Sequence, residues 1–408
     1  MQAVILAAGR GTRMSPITDT RPKPLIPVAG EPFIKHVISR LPRTIDEIVL
    51  VVGYMGGMVQ KSLGNSFDGR RIKYVEQKEQ KGTGHAVLQA ENLVKGEFLC
   101  IAGDHLWGPQ DLERLAKKEG MIVSGRKVDD VSAYGYLETR GEKLVKIVEK
   151  PATKKSGLVN VSAYKFTKEI FDAIKKTKPS SRGETEVVDA INLIASKGGV
   201  CWHECAEWMD FSTPWQVLEV NEALMDKIQA KNEGLLEQRA TISGPVRIGN
   251  GTRVLNNAYI EGPVIIGRNC LIGPNCYIRA HTCIGDDCHI GNGVEIKNSV
   301  ILSNTNIPHL NYVGDSVIGE GCNLGAGTKI ANLMHDGNVR MEIKGEIVDT
   351  GRRKLGAILG DNVKTGINTS IYPGRKLGPN SLTDVAAVVK KNVPAGHMLM
   401  NDGKLKEI

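Results

Sequence analysis

The amino-acid sequence predicts an α/β protein in two parts, an open Rossmann-like sheet followed by a three-sided parallel β-coil. Three observations carry this reading. In the first half, short apolar runs alternate with helix-like stretches. In the second half an aliphatic residue recurs every six positions, at Ile248, Val254, Ile260, Ile266, Ile272, Ile278, Ile284, Ile290, Ile296 and Leu302. The length, 408 residues, is more chain than one core usually organises.

Taken in order, residues 3–7, 47–52, 72–76, 98–102 and 121–124 read as buried strands, with helical patterns between them as at 32–41 and 84–93. Such alternation lays parallel strands side by side under covering helices. Residues 214–237 read as a helix with one polar face and form the expected connector. The expected division is residues 1–220, a helical linker at 221–240, and residues 241–408.

A period of six suits neither the 3.6-residue helix nor the two-residue strand. It suits a triangular coil in which each flat side contributes one inward aliphatic residue. Small or β-branched residues stand two places earlier, among them Val246, Thr252, Ala258, Cys270, Thr282 and Val294. Cys270, Cys276, Cys283, Cys288 and Cys322 are expected to pack there as small hydrophobes. The pattern falters between Ser303 and Asn311 and resumes at Ile318, Leu324 and Ile330. A charged insert at 336–354 follows, and the pattern returns at Leu359, Thr365, Ile371 and Leu377. A loop expelled at 303–312 is therefore expected, and such loops commonly carry function.

Composition narrows the function classes. The net charge of +8 suits anionic substrates such as phosphates. No Lys/Arg run with interleaved aromatics is present, so nucleic acid is not an expected partner. No apolar run reaches membrane-spanning length. The short apolar start runs straight into Gly9-Arg-Gly11 and reads as a strand rather than a signal peptide. The expectation is a cytoplasmic protein with reduced thiols. Cys201, His203 and Cys205 lack a second ligand pair at zinc spacing, so no structural zinc is expected.

The chemistry begins at Leu6-Ala-Ala8-Gly9-Arg-Gly11-Thr12-Arg13-Met, followed by Arg21-Pro-Lys23-Pro. A glycine-rich turn after the first strand lets backbone amides approach a triphosphate. The dinucleotide fingerprint fails, because Met14 and Pro16 stand where it needs a third glycine and an open helix. Arg13 and Lys23 supply fixed cations where a leaving pyrophosphate needs neutralising. Taken singly, Asp104 could cap a helix, Lys23 could be a loop charge and Gln77 could face water. Their joint order and spacing argues for a site.

This segment resembles the signature of the sugar-1-phosphate nucleotidyltransferases, and the likeness continues along the chain. Gln77 with Gly82-Thr83-Gly84 resembles the segment that reads the pyrimidine, and Gly103-Asp104 resembles the metal-binding aspartate. Glu149-Lys150-Pro151, flanked by Gly135 and Asn160, resembles the sugar-contacting set. Trp208-Met-Asp210-Phe-Ser-Thr-Pro resembles an element whose aspartate is a second metal ligand, with Ser212 where the family more often has glycine. The resemblance implies nucleotide contacts at Leu6, Ala8, Gly9, Gly11, Thr12, Gln77, Gly82 and Thr83, with Mg²⁺ on Asp104 and Asp210. UTP or dTTP and a sugar-1-phosphate are the implied substrates.

The second half resembles the acyltransferase domain of the bifunctional enzymes that make UDP-N-acetylglucosamine. His309-Leu-Asn-Tyr312-Val-Gly-Asp matches that domain's His-Leu-x-Tyr segment, and Arg279, Lys297, Asn323, Ala326 and Asn332 fall at its spacings. The likeness implies a left-handed parallel β-helix of hexapeptide repeats behind a mixed sheet, and a homotrimer formed through the helix. It also implies acetyl-CoA as co-substrate, with His309 as general base for the amine of glucosamine-1-phosphate. Histidine titrates near neutrality and suits that task. Arg279 and Lys297 would hold the sugar phosphate, Tyr312, Asn323 and Asn332 would line the acetyl-transfer site, and an amide near Ala326 would polarise the thioester. Leu333 replaces a tyrosine of the bacterial pattern, and the insert carries Arg340, Lys344, Arg352, Arg353 and Lys354.

Two alternatives stand beside this expectation. One is a glucose-1-phosphate thymidylyl- or uridylyltransferase whose coil is purely structural, against which His309-x-x-Tyr312 argues. The other is a non-catalytic regulatory homologue, against which the intact glycine-rich loop and both aspartates argue.

Overall fold

The computed structural model describes residues 1–152, 154–180 and 183–408. The chain divides into two compact units. One comprises Met1–Arg10, Pro22–Leu25 and Phe33–Phe211; the other comprises Gly11–Arg21, Ile26–Pro32 and Ser212–Ile408.

The first unit is built on a ten-stranded sheet. At its centre Gln2–Ala7 lies parallel to both Glu47–Val52 and Phe98–Ala102, and Glu47–Val52 lies parallel to Arg70–Glu76. Gln2–Ala7, Glu47–Val52 and Phe98–Ala102 are covered on both faces, which is why they read as continuous apolar runs. Arg70–Glu76, next to the sheet's edge, mixes buried and exposed residues and is not the buried strand expected over 72–76. Helices Phe33–Ser39, Gly56–Leu63 and Thr83–Leu88 lie between successive strands. Gly157–Phe166 runs antiparallel to Phe98–Ala102 and to Met121–Val128, which makes the sheet mixed. Its ladder is irregular between Asn160 and Tyr164, where Ser162 adopts a positive φ of 55°. Within the distortion the Asn160 side chain accepts from the Ser162 amide at 3.0 Å and donates to the Tyr164 hydroxyl at 2.8 Å.

The second unit contains the expected parallel β-helix. Three sheets, of eight, ten and eight strands, share its sides. Each coil stacks on the last so that Ile266 sits over Ile248 and Ile284 over Ile266. The aliphatic inward residues, from Ile248 through Ile290, Ile318 and Ile330 to Val389, belong to one core and are at most 1% exposed. Each is worth about 1.5–3 kcal/mol in burial. Three columns of left-handed corners turn the chain. One holds Asn269, Asp287 and Asn304, another Asn257, Asn275 and Leu310, and the third His281, Asn298 and Asp315. Asparagine and aspartate tolerate this conformation by bonding locally.

The coil differs from the sequence expectation in three respects. Residues 303–312 are not an expelled loop: Asn306–His309 and Tyr312–Gly314 are strands in register with the coil beneath, Ile307 over Ile290 and Val313 over Ile296. The apparent break is a change of phase. The inward residue after Ile296 is Ile301, not Leu302, and the one after Val313 is Ile318, two five-residue steps in a six-residue pattern. Cys283 is likewise not an inward filler: it sits mid-strand between Thr282 and Ile284 and lies outside the coil core. The helix expected over 214–237 ends at Met225, and Lys231–Asn232 and Leu235–Leu236 already form strands stacked under Arg247–Ile248 and Arg253–Val254. Asn232 accepts from the Gly234 amide and turns the chain, and Gly234 allows an approach that a Cβ would block at 2.7 Å from the Thr252 carbonyl.

The insert is an antiparallel hairpin, Arg340–Ile343 against Glu346–Asp349, pinned by the fully buried Val339 and Met341. No helix is long and apolar enough to cross a membrane among the described residues.

Burial leaves a chemical signature on the thiols. It pushes Cys276, Cys283 and Cys322 up to about 12, while Cys201 is only part-buried. A chromogenic disulfide reagent is expected to react quickly with Cys201 alone in the native protein, and with all eight cysteines after denaturation. Rapid native reaction of the coil cysteines would contradict a closed core.

Candidate active sites

In the first unit the carboxyl ends of the central strands gather charge. Gly103 donates its amide to the Leu6 carbonyl at 2.8 Å, and a Cβ there would meet that oxygen at 2.9 Å. Only glycine lets the chain turn this tightly and present Asp104. Lys23, 7% exposed, donates from Nζ to Asp104 Oδ2 at 2.6 Å. The short strand His105–Trp107 pairs with Trp208–Asp210 so that Asp210 lies opposite His105, and the Phe211 amide donates to the Asp104 carbonyl. His105 Nε2 stands 3.4 Å from Asp210 Oδ1 and 3.9 Å from Asp104 Oδ1.

Burial works against the Asp104 charge, but Lys23 and His105 outweigh it and hold the carboxyl below its usual range. Burial also opposes the His105 charge, and here Asp104 and Asp210 outweigh it, so the imidazole is raised. Two carboxylates that meet at one imidazole, with Asp104 still 37% exposed, suit Mg²⁺, which takes few protein ligands and completes its shell with waters and phosphate oxygens. His105 was missed in the sequence, where its only signal was adjacency to Asp104.

The other candidates fall into groups. Gln77, 5% exposed, donates to the Gly82 carbonyl at 3.0 Å and lies 3.0 Å from His85 Nδ1, so its amide is held rather than free to turn. Gly82 has φ 97°, and a Cβ on it would strike the Thr185 carbonyl at 2.5 Å. Thr83 bonds Glu186 and the Val187 amide and secures a helix start. Ala8 accepts from Gln80 and from the Tyr54 amide, while Gly9 is exposed with open space around it. Gly135 pairs in register with Glu149, and a Cβ at Gly135 would lie 3.0 Å from Glu149 Oε1 and 3.5 Å from Asn160 Cβ, so these three converge. Lys150 follows with φ 41° and donates its amide to the Tyr134 carbonyl. Gly11, Thr12 and Arg13 belong to the second unit. Gly11 has φ 67° and starts a short 3₁₀ turn over Thr12–Met14, with Thr12 and Arg13 exposed.

In the coil, His309 is exposed at the end of its strand and pairs opposite Asn292. Its carbonyl accepts the Gly327 amide at 3.1 Å, and the Ala326 carbonyl accepts the Asn368 amide at 2.8 Å. His309 and Ala326 therefore occupy the same corner position on adjacent coils. Asn323 lies on the same side, paired with Asn306.

A second cluster gathers at the corner carrying Asp315. That carboxylate, with 3% of its side chain exposed, accepts from Asn298 at 2.9 Å and Asn332 at 2.5 Å and lies 3.4 Å from Lys297 Nζ. Asn332 also donates to the Tyr312 hydroxyl at 3.2 Å. Burial first, then the negative charges of Asp315 and Glu295, raise the Tyr312 phenol. Arg279 pairs with Glu295 at 2.9 Å. Asn298 continues to Glu222 at 2.9 Å, which accepts from Arg352 of the hairpin at 2.8 Å. Asp315 thus ties together three candidate substrate-binding residues. In the sequence it closes the segment His309-Leu-Asn-Tyr312-Val-Gly-Asp, which by itself gives it no role.

With this geometry in hand, comparison with known proteins is informative. Residues 2–227 match the nucleotidyl transferase family, and residues 260–379 match the GMPPB C-terminal domain. The protein named bifunctional protein GlmU of Methanococcus maripaludis strain S2 is 41% identical over 398 residues, covering 96% of this chain and 95% of that one. The chain belongs to the bifunctional GlmU family. GlmU of Methanocaldococcus jannaschii is 41% identical, with 96% of each chain covered. A Sulfurisphaera tokodaii protein named bifunctional sugar-1-phosphate nucleotidylyltransferase/acetyltransferase is 40% identical over 97% of this chain and 99% of its own. Among solved structures, a putative glucose-1-phosphate thymidylyltransferase from Bacillus anthracis matches 57% of this chain at 31% identity and TM-score 0.51. Membership in the GlmU family thus spans both units.

Proposed function

We propose that this chain carries out two successive steps of UDP-N-acetylglucosamine synthesis in the cytoplasm, as a homotrimer assembled through the β-helix. The coil transfers acetyl from acetyl-CoA to glucosamine-1-phosphate, and the first domain then joins the product to UTP with release of pyrophosphate. The domains proposed for these steps are residues 241–408 and 1–220, joined through 221–240. Support for the first step comes above all from the stacking of His309 beside Ala326 on adjacent coils.

In acetyl transfer, Arg279 and Lys297 receive the sugar phosphate while Tyr312, Asn323 and Asn332 orient the ring. His309 takes a proton from the 2-ammonium and frees its lone pair. The amine attacks the thioester carbonyl, the Ala326 amide steadies the oxyanion, and the carbon–sulfur bond breaks as the nitrogen's surplus proton passes to the departing thiolate, releasing CoA.

In uridylyl transfer, Gln77 reads the pyrimidine edge, with Leu6, Ala8, Gly9, Gly11, Thr12, Gly82 and Thr83 lining the nucleotide. Gly135, Glu149, Lys150 and Asn160 seat the sugar. Asp104 and Asp210 would hold Mg²⁺, which when bound supplies neutralisation of the phosphate charge. Arg13 and Lys23 draw the triphosphate into line, and a sugar-phosphate oxygen displaces pyrophosphate at the α-phosphorus. No covalent enzyme intermediate is required.

The test is a pair of assays on the same preparation: CoA release with glucosamine-1-phosphate, and pyrophosphate release from UTP or dTTP across glucosamine-, galactosamine- and glucose-derived phosphates. Pyrophosphate without CoA would overturn the acetyl-transfer half. Within this reading, Asp315→Asn keeps a residue that corners of this coil already use but removes the charge that orders Lys297 and Asn332. It is expected to lower kcat/KM for glucosamine-1-phosphate about tenfold, the scale of one lost charge-assisted bond. An unchanged value would remove Asp315 from the account.

A further inference from the structure

The segment Gly11–Arg21, which continues the glycine-rich turn, is internally braced. The Met14 amide and the Thr18 hydroxyl both donate to the Gly11 carbonyl at 2.9 Å, and Met14, Ile17 and Thr18 are buried. Its last two residues end on carboxylates of the coil, within the same compact unit. Thr20 Oγ1 donates to Asp361 Oδ2 at 2.7 Å, and Arg21 Nη2 meets the same oxygen at 2.5 Å and Glu320 Oε2 at 3.3 Å. The other oxygen of Asp361 accepts the Glu320 amide at 2.8 Å. The side chains of Arg21 and Asp361 are each only 12% exposed, so this is a shielded, directional pair rather than a surface contact. Asp361 lies at a coil corner, between Gly360 and the left-handed Asn362.

Neither Asp361 nor Glu320 belongs to the set proposed for acetyl transfer. Removing the Asp361 charge would leave Arg21 buried with only the longer contact to Glu320 at 3.3 Å, and Thr20 would lose its charged acceptor, so the segment's end would be less firmly fixed. We infer that Asp361, a residue of the β-helix, is a positioning residue for nucleotidyl transfer, acting through Thr20 and Arg21 on the loop that carries Gly11, Thr12 and Arg13. This rests on the proposed role of that loop in binding the triphosphate. On this reading one corner of the coil serves uridylyl transfer as well as carrying the acetyltransferase.

The experiment uses the full chain with Asp361→Asn. Turnover of UTP with N-acetylglucosamine-1-phosphate is expected to fall about a hundred-fold in kcat/KM, the scale of an ångström-sized misplacement, with KM for UTP rising. CoA release should stay at the wild-type level, which also reports that the coil is folded. Thr20→Val should shift UTP kinetics in the same direction by less. Wild-type UTP kinetics in Asp361→Asn, or equal loss of both activities, would overturn the inference. Amide hydrogen exchange separates this from failure of the functional reading: exchange over residues 11–21 should quicken in Asp361→Asn while the coil at 250–300 is unaffected. Unchanged exchange in the loop overturns the inference whatever the enzyme's substrate proves to be.

Discussion

His309→Ala is expected to slow CoA release from acetyl-CoA and glucosamine-1-phosphate about a thousand-fold, within the range that a positioned acid–base group supplies. Pyrophosphate release should be unchanged. The imidazole stands exposed at a corner, beside the position of Ala326 on the adjacent coil. Its loss removes no core packing, so the effect belongs to chemistry rather than folding. The neighbouring His289 is a poor substitute, because burial first and the nearby His309 second push it down. Partial recovery with added imidazole would mark the missing proton acceptor. A variant that transfers acetyl at the wild-type rate would end the proposed role of His309.

Asp104→Asn is expected to cut uridylyl transfer about a thousand-fold, since a carboxylate serving a metal is worth several kcal/mol to phosphoryl transfer. The change also takes from Lys23 the charged partner it meets at 2.6 Å, leaving a buried ammonium against a neutral amide. Calorimetric titration of Mg²⁺ into the protein with bound UTP supplies a readout besides turnover, and the binding heat should disappear. Acetyl transfer should persist. Full uridylyl activity in Asp104→Asn would exclude it as a ligand.

Much of this architecture was legible in the sequence because a closed coil demands one aliphatic residue per side and tolerates little else. The phase change was not. Leu302 stands beside Ile301, both are aliphatic, and counting by six lands on the wrong one. The first rungs at 231–236 were hidden because an end coil is covered on one side only; Leu235 remains 58% exposed, and the segment reads as polar. The aspartates and lysine of the proposed nucleotide site announced themselves by motif, whereas His105, and the ties that Asp315 makes, gain meaning only from what the fold brings together. Arg21 and Asp361 are 340 residues apart and could not be joined by any local pattern.

The two shortened steps have a consequence of their own. Both fall on the side of the prism that carries Asn298 and Asp315, where the bend is one residue tighter than at His281 below. Elsewhere such bends leave Asn275, Asn304 or Asn368 in water, but here the corner residues Asn298 and Asp315 themselves are buried and bonded to each other. A repetitive scaffold has thereby acquired a shielded polar corner. Its hydrophobic spine continues undisturbed past the spot, so the corner changed without reshaping the column that supports it.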